Sequence, residues 1–100
     1  MNELTSTPIE HKKLNIKAVL HDFNQRQYET YHQALFLSDA QTMAVKNGAV
    51  LTAAIKAGIL TGIEADAIPE MRPAAVIWLT DKIHKHVVAV TSPPPDEIPN

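Results

Sequence analysis

One hundred residues make a single domain with one modest core, because a chain this short buries only about 60–70% of its unfolded surface. The net charge of −2 argues against a general nucleic-acid binder, since such a protein carries a basic patch that neutralises phosphates. The sequence contains no cysteine, which excludes a disulfide framework, a thiolate metal site and a thiol nucleophile.

The first twenty residues contain no pattern typical of a targeting segment. They carry five charged residues and lack the apolar core of roughly 7–15 residues that defines a secretory signal peptide. The longest apolar run, residues 74–79, is far shorter than the ~20 residues of a membrane span. The sequence therefore predicts a cytoplasmic protein with no membrane partner.

The N-terminal part of the chain shows little sign of regular structure. Residues 1–12 combine Thr5, Ser6, Thr7 and Pro8 with few apolar side chains, which indicates a flexible arm. Residues 14–23 fit both an alternating strand pattern and a helical i, i+3, i+4, i+7 pattern. No later segment resembles a partner strand, and a lone strand leaves its backbone groups unpaired. We therefore expect a short helical turn within residues 14–23.

Three longer segments have the periodicity and the end signals of helices. Asp22 and Gln25 form a capping-box pattern before the first helix. Gly58 is a C-cap signal after the second helix, and Pro73 suits the first position of the third helix. Thirteen alanines against three glycines agree with this interpretation, because alanine is the best helix former. The expected helices cover residues 23–37, 39–57 and 73–91.

Together these elements predict an all-α fold. A domain of three to four helices covers residues 13–92, between a flexible arm over residues 1–12 and a Pro-rich tail over residues 93–100. Small residues around Gly48 indicate that a neighbour approaches the second helix closely, because glycine inside a helix costs about 0.5–1 kcal/mol relative to alanine. The expected core residues are Leu20, Phe23, Tyr28, Tyr31, Leu35, Met43, Leu51, Ile55, Ile59, Val76, Leu79, Ile83 and Val87.

Side chains that could catalyse a reaction or bind a metal do not occur at productive spacings. His84 and His86 are two residues apart, so on a helix they project about 200° from each other, whereas a chelating pair needs i, i+4 spacing. Three carboxylates before the third helix have no identifiable nucleophile beside them, and no hydrolase or phosphate-loop motif occurs. The sequence therefore predicts a non-enzymatic protein with no catalytic residue, no cofactor and no metal site.

The third predicted helix has the widest apolar face in the chain. Besides its core stripe, Ile77, His84 and Val88 form a second stripe, so the apolar arc spans about 180° where an ordinary surface helix has roughly 100°. Two interpretations of this second stripe are open. Either the connection between the second and third helices (residues 58–72) or the N-terminal arm covers it, or the stripe contacts another molecule. In the latter case Ile77, Trp78 and Val88 are the expected contact residues, because an exposed tryptophan is a common interface anchor.

Parts of the sequence resemble small proteins encoded in the structural modules of tailed bacteriophages and prophages. The likeness extends in overall pattern over residues 14–97. It is carried by Asn47-Gly48-Ala49-Val50, Lys56-Ala57-Gly58-Ile59-Leu60, Met71-Arg72-Pro73-Ala74-Ala75-Val76-Ile77-Trp78-Leu79 and Pro94-Pro95-Asp96-Glu97. Some of these proteins resemble tail assembly chaperones, which keep the tape-measure protein soluble while tail tube subunits polymerise around it. The resemblance implies a small helical chaperone or virion structural subunit, in the host cytoplasm or in the virion.

Three classes of function follow from these patterns. The preferred one is a protein–protein interaction module that buries apolar helix surface against a protein partner or a second copy of itself. The alternative is a small DNA-binding regulator of helix-turn-helix type. Against it, the connection between the second and third helices has about fifteen residues, whereas the turn of that motif has roughly three or four. A third is a small hydrolase or lyase that uses Glu70, Asp66 or a histidine.

Overall fold

The computed structural model describes residues 5–38 and 42–93. In this part of the chain a three-stranded antiparallel sheet of order β1-β2-β3 packs against helices. The central helix, α2, contacts α1, α3, the 3-10 helix η1 and the sheet. The elements in chain order are β1 (Ser6–His11), β2 (Ile16–His21), α1 (Gln25–Leu37), α2 (Met43–Lys56), β3 (Leu60–Thr61), η1 (Ala65–Glu70) and α3 (Pro73–Thr91).

The prediction of an all-α fold is wrong, because residues 6–21 form a β-hairpin and not an arm followed by a helical turn. β1 pairs with β2 from Ser6↔His21 to His11↔Ile16, and β2 pairs with β3 through Leu20↔Leu60. β2 buries alternate residues, as the strand pattern in this segment required. The domain is therefore mixed α and β, with the sheet supplying one wall of its core.

The partner strand was missed because β1 lies at the edge of the sheet. An edge strand tolerates polar residues and proline, so Pro8 and the mostly exposed side chains of β1 are compatible with pairing. The expectation of a flexible arm over residues 1–12 is thus wrong for residues 6–11. Residues 1–4 lie outside the described residues, as do residues 94–100 of the predicted Pro-rich tail.

The hairpin turn depends on one residue in the left-handed region. Asn15 has a φ of 55°, which asparagine tolerates better than most residues. Its backbone N–H donates to the Lys12 carbonyl at 3.1 Å, and the Leu14 N–H donates to Nδ1 of His11 at 3.2 Å. The turn therefore sets the register that places β1 beside β2.

The helices lie close to their predicted positions, with differences at the first two starts. α3 begins at Pro73 and ends at Thr91, as predicted. α1 is capped by Asn24 and Gln27, which form a capping box with two bonds of 3.0 Å. Asp22 instead accepts a hydrogen bond from the Thr5 hydroxyl at 2.9 Å. The predicted second helix began at residue 39, but residues 39–41 lie outside the described residues and α2 begins at Met43.

The core lies between the sheet and the helices α2 and α3. Seven of the expected core residues are buried, namely Leu20, Phe23, Tyr31, Leu51, Ile59, Leu79 and Ile83. Met43 is 72% exposed, so its assignment to the core is wrong. The strand residues Ile16, Ala18 and Leu60 are buried instead, because the sheet occupies space that an all-helical packing assigns to other side chains.

Candidate protein-interaction site

Two of the three predicted contact residues share an exposed face of α3. Ile77 is 57% exposed and Val88 is 62% exposed. The two residues are eleven positions apart, which on a helix places them within about 20° of each other. Trp78 is half-buried and lies about 100° around the helix from Ile77. The structure therefore brings Ile77 and Val88 together on one face and separates Trp78 from them.

Trp78 contacts the β-hairpin. Its ring meets the ring of His11 edge to face, with the centroids 5.3 Å apart. The ammonium group of Lys82 lies 5.2 Å from the centroid of the Trp78 ring, a distance at which the cation and the ring attract each other. Trp78 thus joins α3 to the end of β1, a contact that the sequence did not predict.

An open groove of about 640 Å³ runs along α2. The end of α1 contributes Ala34 and Ser38, and η1 and the start of α3 contribute residues such as Ile68 and Ile77. The lining residues are uncharged and mostly apolar. A volume of this size lies within the roughly 300–1,000 Å³ typical of binding clefts.

The floor of the groove consists of small residues of α2. Ala44, Gly48 and Thr52 are spaced four residues apart and therefore follow one face of the helix. A Cβ atom built on Gly48 would lie 3.7 Å from Cγ2 of Ile68, which is an ordinary van der Waals distance. The close neighbour that the sequence predicted at Gly48 is therefore η1.

The hydroxyl groups in the groove already have partners within the chain. The Ser38 hydroxyl donates to the Leu35 carbonyl at 2.8 Å, and the Thr52 hydroxyl donates to the Gly48 carbonyl at 3.0 Å. A ligand thus finds few free hydroxyl donors here, and the surface available to it is mainly apolar.

Large apolar side chains are exposed around the groove. Val45 and Ile77 line it and are 55% and 57% exposed. Met43, which is 72% exposed, lines an adjoining depression together with His84. Because fully burying a large apolar side chain is worth about 1.5–3 kcal/mol, this surface can supply binding energy. The full set of exposed large apolar side chains among the described residues is Phe36, Leu37, Met43, Val45, Ile77 and Val88.

No family model, curated protein or solved structure matches this sequence. None of the helices in residues 5–38 and 42–93 combines the length and the apolar character that crossing a bilayer requires.

In the part of the chain that the structure describes, the histidines and carboxylates do not converge on one metal-binding centre. The His86 Nε2–H donates to the His21 carbonyl at 2.8 Å, which ties α3 to β2. The ring nitrogens of His21 lie 2.7 Å from the Ser6 and Thr61 hydroxyls, so His21 links all three strands. Within the described residues, no group of three or more His, Asp or Glu side chains could hold a metal ion.

The predicted carboxylates of the connection lie on the surface. Glu64, Asp66 and Glu70 are exposed, and Asp66 and Glu70 belong to η1. They are not among the residues that line the groove, although Ala65 and Pro69 beside them are. These three acids thus lie close to one border of the groove.

The connection between α2 and α3 is not the turn of a helix-turn-helix. α2 ends at Lys56 and α3 begins at Pro73, and both β3 and η1 lie between them. The helix-turn-helix motif joins its helices by a turn of about three or four residues. α2 and α3 therefore do not form that motif.

The sequence predicts contact residues on α3 but does not predict most of the groove. Residues 34–38, 44–53 and 65–77 build this surface. For residues 58–72 the sequence predicts an apolar connection with a short turn at residues 64–68, where the structure has η1, but that pattern does not indicate an open surface beside α2. The one available signal was the run of small residues around Gly48, which indicated a close approach without identifying an open surface beside it.

Proposed function

We propose that this protein is a non-enzymatic protein–protein interaction module, which buries an apolar segment of a partner protein in the groove along α2. The observation that carries this proposal is the open groove of about 640 Å³, with its uncharged lining. Val45 and Ile77 stand exposed in it, and the Ser38 and Thr52 hydroxyls are bonded within the chain. Contiguous exposed apolar surface is the usual mark of an interaction site.

The more specific part of the proposal comes from the sequence resemblance. Within the structural modules of tailed phages, the module acts as a tail assembly chaperone or as a small virion structural subunit, in the host-cell cytoplasm or in the finished particle. A chaperone of this kind has to cover apolar surface of another protein reversibly, and an open groove is suited to that task. Ile77 belongs to the groove, and Val88 extends the contact surface along α3.

Purification of the tagged full-length protein from the cells that produce it tests this function. Mass spectrometry compares the proteins retained by the wild type with those retained by the double variant Val45→Glu/Ile77→Glu. Both positions are exposed, so the variant is expected to fold while placing two charges in an apolar groove. We expect it to lose protein partners that the wild type retains, because burying an unpaired charge is costly.

Phe36→Glu is the matched control. Phe36 is 86% exposed, but it lies about 160° around α1 from the groove residues Ala34 and Ser38. This substitution replaces a large, exposed apolar side chain with a charged one at a position that does not line the groove. Equal loss of partners in this control would indicate unspecific adhesion and contradict the proposal, as would recovery of nucleic acid without protein. Val88→Glu reports whether the contact extends along α3.

A further inference from the structure

Resting on the proposed function, we infer that the segment held in the groove is an amphipathic α-helix with an apolar face toward α2 and with lysine or arginine on the flank that meets η1. Three features support this inference: the shape of the groove, its lack of free backbone partners for an extended chain, and the sign of the charges along its η1 border.

The shape of the groove fits a helix. Its floor runs along α2 from Ala44 to Ala53, a distance of about 14 Å or two and a half helical turns. α1 and α3 both pack against α2 and contribute to the lining. Packed helices lie about 8–10 Å apart, and small residues allow the closer spacings in that range. The alanines of the floor therefore suit a helix laid along α2.

The hydrogen bonding of the groove also favours a helix over an extended segment. A helix satisfies its own backbone groups, whereas an extended peptide needs partners for its N–H and C=O groups. The floor is itself a helix, so beyond its first turn its backbone groups are paired within α2, and the Ser38 and Thr52 hydroxyls are also paired. An extended peptide would thus bury unpaired polar groups in this groove.

The charges beside the groove determine which charge the bound helix should carry on the side that meets η1. Glu64, Asp66 and Glu70 are exposed, and they are sequence neighbours of the groove-lining residues Ala65 and Pro69. Arg72 is the basic residue of that segment. The border from residue 64 to residue 72 therefore carries a net charge of −2 (three acids and one base). Complementary charge at the rim attracts a basic flank, and like charge disfavours an acidic one.

Two synthetic helical peptides of about fourteen residues test the inference. Both have the same leucine and alanine face, and their flanks carry either lysine or glutamate. Binding to the full-length protein is followed by fluorescence anisotropy of the labelled peptides. We expect the lysine peptide to bind about tenfold more tightly at low salt, and we expect this preference to shrink as salt is added.

The double variant Asp66→Lys/Glu70→Lys should abolish or reverse the preference. The matched control is Glu10→Lys/Glu29→Lys, which changes the net charge by the same amount on exposed residues of β1 and α1. We expect this control to keep the preference for the lysine peptide. Circular dichroism of the wild type and both double variants checks that each variant folds.

The possible results separate this inference from the proposed function. Equal binding of the two peptides would contradict the inference that the bound helix has a basic flank, but it would not contradict the proposed interaction module. Binding of neither peptide, while partner retention still depends on Val45 and Ile77, would overturn the helical partner. A wild-type dimer in sedimentation, lost in Val45→Glu/Ile77→Glu, would show that a second copy fills the groove and would also overturn the inference.

Discussion

The same substitution, glycine to alanine, is expected to have opposite effects at two positions of this chain. Gly62 follows β3 with a φ of 97°, a conformation that residues with a side chain rarely adopt. A Cβ atom there would lie 3.1 Å from the Ala18 Cα and 3.2 Å from the Lys17 carbonyl oxygen. Both atoms belong to the backbone of β2, which cannot move aside as a flexible side chain can.

The size of the Gly62 effect follows from two costs, the left-handed backbone conformation and the close contacts of the new methyl group with β2. A left-handed conformation costs an L-residue about 1–2 kcal/mol, and overpacking costs about 1–3 kcal/mol. Gly62→Ala is therefore expected to lower the free energy of unfolding by about 2–5 kcal/mol. This loss is a large fraction of the stability of a small domain.

Gly48→Ala should act in the other direction. Gly48 has ordinary helical geometry inside α2, and its new methyl group would contact Cγ2 of Ile68 at 3.7 Å without overlap. Alanine stabilises a helix interior by about 0.5–1 kcal/mol relative to glycine. We expect a gain in the free energy of unfolding of that size.

Urea and thermal unfolding, followed by circular dichroism, measure both effects. For a domain of this size 1 kcal/mol corresponds to about 4–8 °C in Tm, so the two variants should move Tm in opposite directions by amounts that are easily measured. A Gly62→Ala protein as stable as the wild type would refute the placement of Gly62 against β2. A destabilised Gly48→Ala protein would refute the spacing between α2 and η1.

Two further predictions concern the aromatic residues. Trp78→Ala should lower the free energy of unfolding by about 1–3 kcal/mol in urea titrations, because its half-buried ring contacts His11. Ile77→Ala should change it by less than about 0.5 kcal/mol, and equal effects would contradict the Trp78 contact. Burial, and after it the neighbouring Tyr28, raise the pKa of Tyr31 above its ordinary value of 10.0, so the folded state holds this proton more tightly than the unfolded chain does. The contribution of Tyr31 to the free energy of unfolding is therefore fully present below pH 10 and is lost as the pH rises through the raised pKa of the folded state. Tyr31→Phe should reduce this loss in unfolding curves measured at increasing pH.

Local patterns were sufficient to locate the helices. The bounds of α3 follow from Pro73 and from the pre-proline position of Ser92, because both signals act within a few residues. α1 differs from the prediction only at its start, where Asn24 takes the capping role expected of Asp22. Helix boundaries of this kind depend on residues that are close together in the sequence, so one sequence is enough to predict them.

The sheet and the groove depend on distant residues and were missed for that reason. β2 alternates as a strand should, but its partners are the polar edge strand β1 and a β3 of only two residues. Neither partner has a pattern of its own that predicts a strand. The groove likewise joins α1, α2, η1 and α3, and no periodicity within one segment reports a surface that four elements share.

The imidazole of His21 cross-links three strands that backbone pairing joins unevenly. β3 pairs with β2 at only two positions, and the Thr61 hydroxyl adds a side-chain bond of 2.7 Å to one nitrogen of the His21 ring. The other ring nitrogen lies 2.7 Å from the Ser6 hydroxyl of β1, and each hydroxyl can either donate to the ring or accept from it. Shortening this one side chain would therefore remove a bond from both outer strands at once, at the end of the sheet where β3 pairs with β2.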